Sequence, residues 1–378
     1  MKACEVAVVG AGIVGAATAW ELHARGVDVA LLDRGEVSGA TTGLGEGNVL
    51  CCDKEVGPEL ELTLAGLDVY DELEAMLGEQ ARIRRKGALV VHRSDETWTN
   101  EPQRVERLRA AGVQGAVIDR DEVGAMEPEL TGELAGASFF PADLQCAPRA
   151  IARALAGGLP RVHTGVEVQG VATVHDRVTG LRTSDGAVAC DAAVLAAGPW
   201  SRALAEAAGV ALPLEPRKGQ LVRLRAAGGD KRLIRHKVVE AGYLGSVASV
   251  DAGLQVTTVL ETTWEGDVLV GSSRERRGFD LSVDDAVSDA MLEQGFALMP
   301  GLRALELDAA WAGLRPWLPD GLPAIGPSTA VAGLWLATGH EGAGVALGPV
   351  TGRLVAQLYA GEAPVVDPAP FSPDRFGP

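Results

Sequence analysis

Short apolar runs alternate with helical periodicity along most of the chain, which predicts an α/β protein. Val6 to Val9 is an unbroken apolar run, followed by Gly10-Ala11-Gly12-Ile13-Val14-Gly15, a helical stretch from Ala16 to Arg25, and a stop at Gly26. A second apolar run, Val27 to Leu32, ends at Asp33. This strand, glycine turn, helix, strand, acid order is that of a dinucleotide-binding unit. Gly10 serves the tight turn, Gly12 lets a pyrophosphate approach the backbone, and Gly15 lets the helix pack closely on the strand. The helix start faces the phosphates with its free amides and positive dipole end. Asp33 can accept hydrogen bonds from ribose hydroxyls. The acid argues against a 2′-phosphate and leaves FAD and NAD both open.

Next comes a small-residue loop, Ser38 to Asn48, in which Thr41 and Thr42 can donate to phosphate and Gly43, Gly45 and Gly47 permit close backbone approach. Pro58 opens a helix with Leu60, Leu64, Leu67 and Leu73 as its apolar stripe and Tyr70 beside it. A strand is predicted over Gly87 to His92, and helices over Gln103 to Ala111, Asp119 to Met126 and Ala147 to Leu155. Val166 to Val174, Val178 to Thr183 and Ala187 to Ala189 read as a meander. Ala192 to Ala197 is a separate buried strand stopped by Gly198. Pro216 to Val270 is strand-rich, with turns at Gly228-Gly229, Ala252-Gly253 and Gly266-Asp267. A helix from Ser282 to Met299 starts on a capping-box-like Ser282 and Asp285. Leu336 to Gly344 repeats the opening pattern of strand and glycine turn before a helix from Val350 to Tyr359. The tail from Pro364 reads as an extended arm.

The length, 378 residues, suits two domains. The second glycine turn, at 339–344, sets a helix start where a reduced flavin would carry its negative charge, which favours FAD. A discontinuous Rossmann-like FAD-binding domain is expected from 1–80, 141–215 and 311–378, with a mainly antiparallel α+β substrate domain from 81–140 and 216–310. The net charge of −17 argues against nucleic acid and anionic membrane surfaces as partners. Five cysteines without regular spacing provide neither a disulfide framework nor a metal or iron–sulfur site. No apolar run reaches membrane-spanning length and no signal segment precedes the first strand, so a cytoplasmic protein is expected.

Several segments carry a family likeness: Gly10 to Gly15, Ala196 to Ser201, Lys218-Gly219-Gln220, Gly271 to Glu275, Gly313-Leu314-Arg315-Pro316 with Pro319-Asp320-Gly321, and Gly339-His340-Glu341-Gly342-Ala343-Gly344. In this order the chain resembles the D-amino-acid oxidase superfamily of FAD-dependent oxidoreductases, with glycine and sarcosine oxidases. Gly45 to Asn48 with Asp53-Lys54, Gly242-Tyr243-Leu244 and Glu341 bring it nearer to opine oxidases, D-hydroxyproline dehydrogenases and hydrogen cyanide synthase. In such relatives companion chains carry an iron–sulfur cluster and a second nucleotide, so companion subunits accepting electrons are an expectation here too. Cys51-Cys52 departs from the small or aliphatic pair expected there. No cysteine lies near Arg315, where sarcosine oxidases tether their flavin, which implies non-covalent FAD.

The resemblance implies oxidation of the Cα–N bond of a D-amino, glycine-like or N-substituted amino acid. Hydride passes to flavin N5, and water hydrolyses the imine to an oxo acid. Arg315 is the expected carboxylate anchor, with Tyr243 adding a hydroxyl. His340 either assists the flavin and the amine proton or caps a helix. Glu341 either binds the amine or faces solvent. The expected flavin contacts are Gly10, Gly12, Ile13, Val14, Gly15, Asp33 and Arg34; then Thr41, Thr42, Gly45, Glu46, Gly47 and Asn48. Val168, Ala197, Gly198, Trp200, Gly313 and Arg315 follow, and the last turn adds Gly339, His340, Glu341, Gly342, Ala343 and Gly344. An NAD-dependent dehydrogenase and a non-catalytic flavin-binding subunit are the alternatives.

Overall fold

The computed structural model describes residues 2–225 and 233–377. The predicted turn at Gly228-Gly229 lies outside them. Two eight-stranded sheets organise the chain. The first is built on Cys4–Val9, which pairs in parallel with Val29–Leu32 on one side and Gly186–Leu195 on the other. Helices cover one face of this strand and the strands Val168–Val174 and Arg177–Thr183 lie against the other, so Val6, Ala7 and Val8 are fully buried and its sequence does not alternate. Leu334–Thr338 and Ala324–Pro327 extend the sheet beyond Gly186–Leu195, and Val162–His163 closes the other edge.

The predicted third meander strand and the separate buried strand after it are one element, Gly186–Leu195. Its first half pairs with Arg177–Thr183 and its second half with Cys4–Val9. The alternating half faces solvent on one side and the apolar half is sandwiched, so the pattern changes within one strand.

Helix Ile13–Ala24 packs along the last helix, Gly344–Ala360. Close contact depends on Gly352, where a Cβ would lie 2.5 Å from the Ala17 carbonyl carbon. The last helix starts six residues earlier than its apolar run implied and accommodates Pro349 in its first turns. Helix Pro58–Leu77 buries Leu60, Val69, Tyr70 and Leu73, together with Leu62. Leu64 and Leu67 are only half-buried. Tyr70 donates its hydroxyl to the Val345 carbonyl at 2.6 Å, joining this helix to the last one.

The second sheet has the order Glu306–Trp317, Glu215–Arg225, Val268–Arg274, Gln255–Thr262, Lys237–Glu240, Ala88–His92, Gly136–Phe140, Ala116–Ile118. Its pairings are antiparallel except for Lys237–Glu240 with Ala88–His92. Helix Asp285–Leu298 covers one face, placing Met291 and Leu298 in a core with Leu260 and Val270. Asp284 caps it, its carboxylate accepting from the Ala286 amide; Ser282 instead donates to Asp280.

Glu306–Trp317 lies wholly in this second sheet. Residues 311–317, expected with the FAD-binding domain, thus pair within the second sheet, because strand pairing rather than sequence position assigns a segment to a sheet. Tyr243 sits on a short helix, Gly242–Ala248, instead of a strand. The tail forms two short helical turns, with Phe371 buried in the first core and Asp374 accepting from the Thr329 amide. An apolar ring with nowhere else to go draws it out of the extended form.

Candidate active site

A cavity of about 450 Å³ is lined by residues of both sheets. At one end the chain turns at Gly10, whose φ of 105° belongs to glycine; a Cβ there would meet the Ala196 carbonyl oxygen at 2.5 Å. Gly12 is the helix N-cap and supplies no side-chain cap, so the amides at the helix start other than that of Ile13 remain available to a ligand. The Ile13 amide donates to the Thr42 hydroxyl oxygen at 3.1 Å. Thr41 donates to the Leu314 carbonyl at 2.7 Å, tying the small-residue loop to the strand that carries Arg315. The Asp33 carboxylate accepts from the amides of Ala11 and Gly35, both at 2.7 Å, which fixes it at the cavity wall. The Arg34 guanidinium lies 4.1 Å above the Trp200 ring at this end.

The opposite end holds the charged side chains. In the ladder between Glu215–Arg225 and Glu306–Trp317, Arg217 stands directly opposite Arg315. Like charges in register repel. Glu341 lies among them: its Oε1 is 3.6 Å from Arg217 Nη1, 3.3 Å from Arg274 Nε and 3.9 Å from Arg315 Nε. Burial opposes the charged form of Glu341, but Arg274, Arg315 and Arg217 together hold its carboxyl below the ordinary range. Burial, offset by Glu341 and reinforced by Arg274 and Arg315, brings the Arg217 guanidinium down to about 10. Arg315 is lowered as well, by burial first and then by Arg274. Its Nη1 donates to the Ser273 carbonyl at 3.0 Å, and its flank is open only because Gly219 has no side chain: a Cβ there would lie 2.0 Å from Nη1. Tyr243 lines the cavity, with the Arg274 guanidinium 4.6 Å over its ring.

Across the cavity, Lys54 Nζ is 3.1 Å from Asp53 and 3.2 Å from Glu59. Glu46 pairs with the buried Lys237 at 3.0 Å and accepts from Asn48 at 2.8 Å. His340 is 3% exposed, and its Nε2 hydrogen-bonds the Thr351 hydroxyl at 2.9 Å. Burial drops its pKa to about 3, so it is a neutral imidazole that ties the turn to the last helix. Like the first helix, the last one starts without a side-chain cap.

Most of the expected contacts meet on this cavity, from Gly10, Gly12, Ile13, Val14, Asp33 and Arg34 to Gly313, Arg315 and the run 340–344. Gly15, Gly47 and Gly339 do not reach it. Each is a packing glycine: an added Cβ would meet Gly10 O at 1.8 Å, Cys146 O at 1.8 Å and Leu318 Cδ1 at 2.2 Å, respectively. Sequence reasoning assigned no role to Lys54, Asp53, Arg217 or Arg274. Asp53-Lys54 and Arg274 lie within motifs that carried the family likeness, whereas Arg217 sits one residue before one and becomes visible only through register.

Two helix starts without an N-cap side chain, the Asp33 carboxylate at the cavity wall and the Arg34–Trp200 pair fit an elongated dinucleotide with an anionic ring system at its far end. A family profile described as FAD dependent oxidoreductase matches residues 5–358. The chain belongs to the FAD-dependent oxidoreductases. Among its relatives, a glycine oxidase of Pseudomonas aeruginosa is 31% identical over 97% of this chain and 98% of that protein. The hydrogen cyanide synthase subunit HcnC of the same species is 27% identical over 99% of this chain and 96% of that protein. The crystal structure of glycine oxidase from Geobacillus kaustophilus superposes with a TM-score of 0.88 at 27% identity, covering 98% of each chain.

Membership of this family makes the protein an FAD-dependent oxidoreductase and sets aside the NAD reading; an amino-acid oxidase and a D-amino acid dehydrogenase are among its relatives. Among the described residues, no helix is long and apolar enough to cross a membrane. All five cysteines are free and buried, and none lines the cavity.

Proposed function

We propose that the protein oxidises the Cα–N bond of a small amino acid, D-amino, glycine-like or N-substituted, bound by its carboxylate on Arg315. The carrying observation is Arg315 itself. It lines the cavity, and its one hydrogen bond among the described residues goes from Nη1 to a backbone carbonyl. The remaining N–H groups of its planar fork can take a carboxylate bidentately. Tyr243, on the same wall, offers its hydroxyl to that carboxylate.

FAD, when bound, supplies the two-electron acceptor for the hydride leaving Cα. Gly10, Gly12, Ile13 and Asp33 would hold its nucleotide half, and the turn 341–344 its ring, without a covalent link. Glu341 stays ionised at neutral pH and is read as a hydrogen-bond acceptor for the amine, not as a proton store. His340, neutral and bonded to Thr351, holds the turn.

The test is anaerobic bleaching of the flavin by a panel of D-, L- and N-alkyl amino acids. Arg315→Lys is expected to lower the second-order bleaching rate by about 10- to 100-fold, through loss of the bidentate fork. An unchanged rate would remove Arg315 from the substrate site. Re-oxidation in air then separates an oxidase from an enzyme that passes electrons to a companion subunit.

A further inference from the structure

The charges at the inner end of the cavity bear on how many carboxylates a substrate brings. Arg217, Arg274 and Arg315 converge on the single carboxylate of Glu341. Arg217 and Arg274 are each 1% exposed, and Arg217 Nη1 has no hydrogen-bond partner among the described residues. A cation this deeply buried must be met by an anion. Glu341 supplies it from a left-handed backbone, φ 46°, a conformation that a glutamate adopts only when its surroundings impose it.

The other charges nearly cancel. Lys54 lies between Asp53 and Glu59, leaving that wall one negative charge in excess. Lys237 and Lys86 balance Glu46 and Glu261. Arg276, farther out, is paired with Glu215. Among these groups the arginine end has two positive charges in excess and the lysine wall one negative, which leaves one positive charge in excess. That excess matches an amino acid with one carboxylate and a neutral amine.

We propose that Glu341 is a resident carboxylate that restricts the site to substrates with one carboxylate and excludes amino dicarboxylic acids. The proposal rests on the reading of Arg315 as the substrate anchor. Of Arg217, Arg274, Arg315 and Glu341, only Arg315 and Glu341 line the cavity, so a second substrate carboxylate entering beside Arg315 meets Glu341, with like charges a few ångströms apart in a low-dielectric interior. Glu341 thereby acts on specificity through charge, whereas Arg315 supplies the common anchor.

The test uses the flavin-loaded enzyme and two readouts. In the first, glycine, sarcosine and D-proline are compared with iminodiacetate and D-aspartate in anaerobic flavin bleaching. In the second, the non-reacting anions acetate and malonate are compared by the perturbation of the flavin spectrum and by thermal stabilisation. The wild type is expected to favour the monocarboxylates in both. Glu341→Gln is expected to shift the ratio of dicarboxylate to monocarboxylate affinity upward by about tenfold or more. A purely structural role would weaken both classes alike and leave the ratio unmoved.

Wild-type enzyme that takes dicarboxylates as well as monocarboxylates overturns the proposal without any variant, as does a Glu341→Gln ratio equal to that of the wild type. Should no amino acid bleach the flavin, the substrate reading fails. The acetate and malonate comparison then still decides the charge rule, and binding of neither anion overturns it.

Discussion

Gly15→Ala probes how the first turn couples folding to flavin binding. A Cβ at position 15 would sit 1.8 Å from the Gly10 carbonyl oxygen, 3.0 Å from its carbon and 3.2 Å from Ala196 Cβ. Every one of these neighbours belongs to the buried turn and strand end, so no flexible side chain can give way. Relief requires the helix Ile13–Ala24 to move off the strand by more than about 1 Å, an overpacking that costs about 3 kcal/mol. The same movement withdraws the helix-start amides from the phosphates. Loss of about 3 kcal/mol in those hydrogen bonds is about a hundredfold in FAD affinity.

Gly12→Ala is the contrast. Its Cβ would meet only Thr42 Oγ1 at 3.0 Å, so the fold should tolerate it while the ligand side is obstructed. The assay is urea unfolding of the apoprotein together with FAD titration followed by flavin fluorescence. The expected pattern is loss of both stability and affinity for Gly15→Ala, and chiefly of affinity for Gly12→Ala. A Gly15→Ala protein with the wild-type unfolding midpoint and an FAD Kd within about threefold would refute the packing argument.

Two further outcomes follow from buried side chains. Glu101 is buried; against the burial penalty, His92, Arg104 and Ser138 bring its pKa from 4.5 down to about 2. Arg104 holds both its oxygens, at 2.7 and 2.9 Å. A carboxyl depressed on folding adds stability above its unfolded pKa and loses it as pH falls toward the folded one. About 3 kcal/mol should therefore disappear between pH 4.5 and 2, and Glu101→Gln should flatten that part of the stability–pH curve. Equal slopes for the two proteins in denaturant melts would contradict the assignment. Phe371→Ala tests the seating of the tail: the ring is 1% exposed in the first core, so about 3 kcal/mol should be lost. A change below about 1 kcal/mol would mean that the tail is not held there.

Local patterns made much of the fold legible. The unbroken apolar run 6–9, the glycine turn and Asp33 are short-range signals, and the first sheet is built on them as expected. The helices at 58–77 and 285–298 were visible because a 3.6-residue period needs only one face to be apolar. Their ends shifted where capping chemistry outweighed the period, as at Asp284.

The meander and the strand after it were separated because one strand carries two environments along its length. Phe371 gave no local sign of its burial; an isolated ring in a proline-rich tail is decided by the groove that receives it. The candidate site divides in the same way. Arg315, Tyr243, His340 and Glu341 stand in recognisable motifs, and the sequence alone brought them forward as candidates. The facing of Arg217 and Arg315 depends on the register of two strands about a hundred residues apart, which packing sets and no local pattern encodes. His340 turns to Thr351 for a similar reason: the last helix passes behind it. Residue chemistry and cofactor class were thus carried by the chain's local order. Which charges meet, and which are left one short, was decided by the tertiary structure, because charge balance is a property of distances in space.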